Sequence, residues 1–121
     1  MIGYGKCFSD PLTVKIYKNK NDFIDTLTHE LIHQLQIQNH KKMTKWWEYL
    51  NKKYENDTKL TKSHILLHSV HNEVYLKLFD KNRLKRNIRI DKEYEDYKRS
   101  WEIVLKEGYK NIINEFRRRL Q

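Results

Sequence analysis

The sequence predicts a mostly helical α+β protein: a short N-terminal β-strand or hairpin, a signature helix, two further helices and a long C-terminal helix. Two observations carry this prediction. Apolar residues alternate with polar ones only once, from Leu12 to Ile16, and elsewhere they recur at three-four spacing. In addition, 121 residues suit one hydrophobic core and are too few for two.

The strand follows the turn signal Ser9-Asp10-Pro11, after which Leu12, Val14 and Ile16 alternate with Thr13, Lys15 and Tyr17 over residues 12–18. Ile2 to Phe8 is a candidate hairpin partner, although Gly3 and Gly5 weaken it. Asn21 or Asp22 then caps a helix carrying Phe23, Ile24, Leu27, Leu31 and Leu35. Met43, Trp46, Trp47, Leu50 and Tyr54 form the core stripe of a second helix near residues 43–55. Asn56-Asp57-Thr58 ends it, and Thr61 or Ser63 starts a third helix running to about Lys81. The basic stretch from Lys81 to Arg89 reads as a loop. From Asp91 onward Tyr94, Tyr97, Trp101, Ile112, Phe116 and Leu120 keep helical spacing, broken only by Gly108, so one long helix or two joined there is expected.

Charge and cysteine content narrow the setting. With 25 basic against 16 acidic residues the net charge is +9, which attracts anionic partners without choosing among them. The lone Cys7 has no internal disulfide partner, so a reducing, cytoplasmic setting is expected. No apolar run approaches the roughly 18 residues that cross a bilayer, and no signal-peptide core is evident, so a soluble chain without a membrane span is expected.

The chemistry lies in His29-Glu30-Leu31-Ile32-His33. Histidines four apart project from adjacent turns of one helix face and can hold one Zn²⁺ through their imidazoles. A third protein ligand leaves a coordination position for water, and Glu30 is placed to take its proton during attack on a peptide carbonyl. Candidates for the third ligand are His40, His64, His68, His71 and Glu73. At 100° per residue His64, His68 and His71 share the arc of Leu67, Tyr75, Leu78 and Phe79, and should point inward. Glu73 falls on the opposite, solvated side with Ser69 and Lys77. His68, in mid-helix, is the favoured ligand; His64 and Glu73 are the alternatives. His40 ranks lower because the chain has Gln36 where a glycine would turn it. Cys7 reads as a small buried hydrophobe rather than a thiolate ligand.

Thr26-Leu27-Thr28-His29-Glu30-Leu31-Ile32-His33-Gln34-Leu35 resembles the extended zinc signature of metallopeptidases, and with the small size of the chain it resembles the minigluzincins. The resemblance is specific over this helix and loose elsewhere. It implies His29 and His33 as zinc ligands, Glu30 as general base, residues 1–121 as a minimal metallopeptidase domain, and kinship to the catalytic cores of membrane-embedded peptidases. Gluzincins generally use a glutamate as third ligand, and Asn72-Glu73 resembles their Asn-Glu pair. The acidic residue expected four positions later is Lys77 here, which departs from that pattern. The resemblance also implies a latent form blocked by a C-terminal segment. The apolar stripe of residues 91–121 needs a cover, so the segment is expected to fold over the cleft or to exchange in a homodimer, with Gly108 as hinge. Removing the chain beyond Gly108 is then expected to raise activity on a peptide or protein substrate.

Two other function classes fit the same residues. Lys81, Arg83, Lys85, Arg86 and Arg89 suit contacts to nucleic-acid phosphates, as in a DNA-associated protein or a protease acting on DNA-bound proteins. A helical interaction module with a purely structural zinc is the other, which a fourth protein ligand would distinguish.

Overall fold

The computed structural model describes the backbone of residues 2–3, 8–9, 12–15 and 20–120, and the side chains of residues 25–120. The expected α+β class is corrected to a helical one: across residues 25–120, six helices and no strand are present, and 84% of residues are helical. Among the described residues, N-terminal backbone pairing comprises β1 (Ile2–Gly3), β2 (Phe8–Ser9) and β3 (Leu12–Lys15), strands of two to four residues. β1 runs parallel to β3 rather than closing the expected antiparallel hairpin, and β2 is antiparallel to β3 on its other edge. Ladders this short form no sheet layer of their own. The chain divides into two compact units, Met1–His40 and Lys41–Gln121.

In the first unit, α1 spans Lys20–Gln38 and packs along β2 and β3. No glycine or proline interrupts its nineteen residues. Its end is closed locally. The Asn39 side-chain amide donates to the Leu35 carbonyl at 2.8 Å, and the backbone N–H of Asn39 donates to Gln36 at 3.2 Å.

The second unit is a bundle around α3 (Lys59–Leu78), which packs against α4 (Lys81–Asp91), α5 (Glu95–Glu107) and α6 (Tyr109–Arg118). α2 (Thr44–Lys53) contributes Trp46 and Leu50 to the same core as Ile65, Tyr75, Trp101 and Ile112. The start of α3 is set by Thr58, not by Thr61 or Ser63. The Thr58 hydroxyl oxygen accepts the Thr61 N–H at 3.1 Å and donates its own proton to Asp96 at 2.6 Å, tying the cap to the first turn of α5.

One expectation is revised here and another is decided. The stretch from Lys81 to Arg89 is helix rather than loop, because Asp80 caps it by accepting the Arg83 N–H at 2.8 Å and Leu84 and Asn87 are buried along one side. The C-terminal segment is two helices joined at Gly108, one of the two arrangements expected. Gly108 joins them at φ +89°, a conformation that L side chains rarely adopt, while its N–H still bonds the Val104 carbonyl at 2.9 Å. Part of the apolar stripe is covered inside the unit: Trp101, Val104 and Ile112 are buried in the core that α3 centres, whereas Tyr94 and Leu120 remain exposed.

Candidate metal centre

α1 carries His29 and His33 on adjacent turns, with ring centroids 4.8 Å apart and planes at 70°. Both rings are half-buried, and so is Glu30 between them in sequence. Burial of the signature helix is one-sided. Ile32 is buried, whereas Leu31 and Leu35 remain 46% and 58% exposed.

α3 carries His64, His68 and His71, and all three point into the protein as helical phase predicts. Their surroundings differ. The Nδ1 of His64 lies 2.8 Å from the Leu60 carbonyl oxygen and 3.1 Å from the Ser63 hydroxyl. A carbonyl only accepts, so Nδ1 carries the proton and the lone pair resides on Nε2. Burial lowers the His64 pKa, opposed by the Leu60 hydrogen bond and the Asp96 charge, and this favours the neutral imidazole that a metal requires.

His68 has a hydrogen-bond partner for Nδ1 and a carboxylate near Nε2 within its own unit. Nδ1 is 2.7 Å from the Ser100 hydroxyl, and Nε2 is 3.7 Å from an Asp91 carboxylate oxygen. That same oxygen accepts the indole N–H of Trp101 at 2.9 Å, and the His68 ring stacks on Trp101 with centroids 4.3 Å apart and planes at 13°. These contacts make His68 a link between α3, the end of α4, and α5. His71 is fully buried with its ring edge-on to Tyr75 at 4.4 Å, and burial pushes its pKa down to about 4.

Glu73 accepts an ion-pair hydrogen bond from Lys77 at 2.7 Å, which is the main cause of its lowered pKa. His40 is exposed, with Nδ1 2.9 Å from the Ile37 carbonyl oxygen. Cys7 lies outside the described residues.

Sequence reasoning did not assign roles to Asp91, Tyr97 and Ser100. Tyr97 and Trp101 fall four apart on α5, which places both on the face toward α3; the Tyr97 ring lies 4.4 Å from that of His64 and 5.7 Å from that of His68. Their aromatic character read simply as core. Ser100 beside Trp101 offered no periodic signal, and its partner His68 is 32 residues away. Among the described residues, no helix is long and apolar enough to cross a membrane. No family model, curated protein or solved structure matches the chain.

Proposed function

We propose that this chain is a zinc-dependent peptidase of the HExxH type, with His29 and His33 as metal ligands and Glu30 as general base. The observation that carries the proposal is the paired presentation of His29 and His33, 4.8 Å apart on one regular helix, with Glu30 at the next position in the chain. Two neutral imidazoles on adjacent helical turns are donors that suit Zn²⁺, which takes further ligands to reach four-coordination. When bound, zinc supplies Lewis acidity toward a peptide carbonyl and lowers the pKa of a water.

His64 and His68 differ in the chemistry of their own neighbourhoods. A histidine that donates Nδ1–H to a backbone carbonyl has a fixed tautomer and ring orientation, with Nε2 as the ligating nitrogen. His68 has Nδ1 within hydrogen-bond distance of Ser100, and its Nε2 lies 3.7 Å from Asp91, beyond hydrogen-bond distance. Glu73 is held by Lys77, so a ligand role for it requires breaking that pair. Glu30 takes the proton of the attacking water and passes it to the leaving amine, a role that needs a carboxylate and is lost in the amide.

The test is metal content together with proteolysis of an unstructured protein substrate. Wild type is expected to hold about one zinc per chain; His29→Ala and His33→Ala lose it, and Glu30→Gln keeps zinc and fold while losing activity. His68→Ala is expected chiefly to lower thermal stability. An active Glu30→Gln chain overturns the mechanism, and stoichiometric zinc in both His29→Ala and His33→Ala overturns the site. Zinc bound with no proteolysis by wild type points instead to a structural metal.

A further inference from the structure

We propose that the outward face of α4 binds the phosphate backbone of double-stranded nucleic acid, independently of the peptidase reading. Lys81, Lys85 and Arg89 stand four residues apart on this helix and all three are exposed. At 100° per residue they lie within an arc of about 80°, and at 1.5 Å per residue they span about 12 Å. One strand of a duplex carries a charge every 3.4 Å or so along the axis, so this span faces roughly three or four phosphates.

The three cations are uncommitted. None of them forms an ion pair or a side-chain hydrogen bond among the described residues, whereas Lys53, Lys77, Arg99, Arg118 and Arg119 are each paired with a carboxylate. No acidic residue occurs between Lys81 and Ile90. The flanking carboxylates are occupied, Asp80 in capping α4 and Asp91 in accepting the Trp101 indole N–H. Arg83 lies over the Phe79 ring and Arg86 is half-buried, so neither belongs to the outward stripe.

A nucleic acid suits this face better than a lipid surface. An interfacial helix needs an apolar side to immerse, and α4 has its apolar side in the core through Leu84. The opposite side is fixed to the bundle, so the cations are presented on a rigid element. Contacts of this kind position a duplex without reading its bases, and no sequence preference is expected.

The test uses the full-length chain and a fluorescent duplex DNA of arbitrary sequence, titrated at several salt concentrations. Three phosphate contacts contribute a slope of about −2.7 to log K against log salt, or a loss of roughly 40-fold between 50 and 200 mM. K81Q/K85Q/R89Q is expected to reduce the slope by about that amount and to weaken binding at low salt. The control K45Q/K52Q/K106Q removes the same charge from exposed positions elsewhere and is expected to leave most of the binding. Circular dichroism confirms that both variants stay folded. Equal losses in the two variants mean that net charge alone acts, which overturns the proposal. So does absence of duplex binding by wild type, or binding only to phosphatidylserine vesicles.

Discussion

His71 is an imidazole held neutral in the core of the second unit, and its titration has a definite sign. Its pKa is about 4 in the folded chain, because of burial, against 6.5 for an exposed ring. Between these values the unfolded state binds more protons. Stability is therefore full above pH 6.5 and falls as pH drops toward 4, by about 3 kcal/mol for a shift of this size. His64, whose pKa is lowered in the same direction, adds to the same loss. Urea titrations at pH 7 and pH 4.5 should show a smaller pH-dependent loss in His71→Leu than in wild type. Equal losses in the two proteins would show that His71 does not carry the effect. The same residue scale explains why the third ligand was hard to read. Helical phase puts His64, His68 and His71 on one inward arc and has no means of ranking them. The ranking depends on Leu60, Ser100 and Asp91, and the last two come from other helices.

At the scale of elements, α6 is part of the core rather than an appendage. Ile112 is buried, Phe116 meets Trp46 edge to face at 5.6 Å, and the Arg119 guanidinium lies 3.8 Å from the centre of the Tyr49 ring. Deleting residues after Glu107 removes these contacts at a cost on the order of 5 kcal/mol, comparable with the whole stability of a small domain. A truncated chain is therefore expected to melt far below the full-length protein, and to lose rather than gain activity. A well-folded, more active truncation would restore the latent form implied by the family resemblance. Gly108→Ala probes the junction more gently: its φ of +89° strains any side chain, and a new Cβ would lie 3.3 Å from the Asn111 amide nitrogen. A loss of about 1–3 kcal/mol is expected in a thermal melt.

Which elements were legible follows from how much apolar pattern each one carries. The α2 stripe and the break at Gly108 were readable because Trp46, Leu50, Trp101 and Ile112 recur at helical spacing on both sides of clear stop signals. α4 was not, because five cations within nine residues leave only Leu84 and Ile88 as apolar markers. Its formation rests on the Asp80 cap and on packing against α3 and α5. The alternation from Leu12 to Ile16 suggested a strand long enough to define a fold class, but a four-residue ladder does not add a layer. The signature on α1 was the most legible feature, since its spacing is itself the geometry.

At the scale of the whole molecule, the proposed zinc site makes a prediction that needs no substrate. A metal that binds only the folded chain raises its stability by about 2.7 kcal/mol when free zinc is at one hundred times its Kd. A chelator should lower the melting temperature of the wild-type chain and leave that of His33→Ala unchanged. An identical response in both would mean that zinc acts elsewhere. The two compact units also differ in a way that helps such measurements. All three tryptophans, Trp46, Trp47 and Trp101, belong to Lys41–Gln121, and Met1–His40 has none. Indole emission therefore reports the melting of the helical bundle alone, and any transition seen by circular dichroism but silent in that emission belongs to the unit that carries the signature helix.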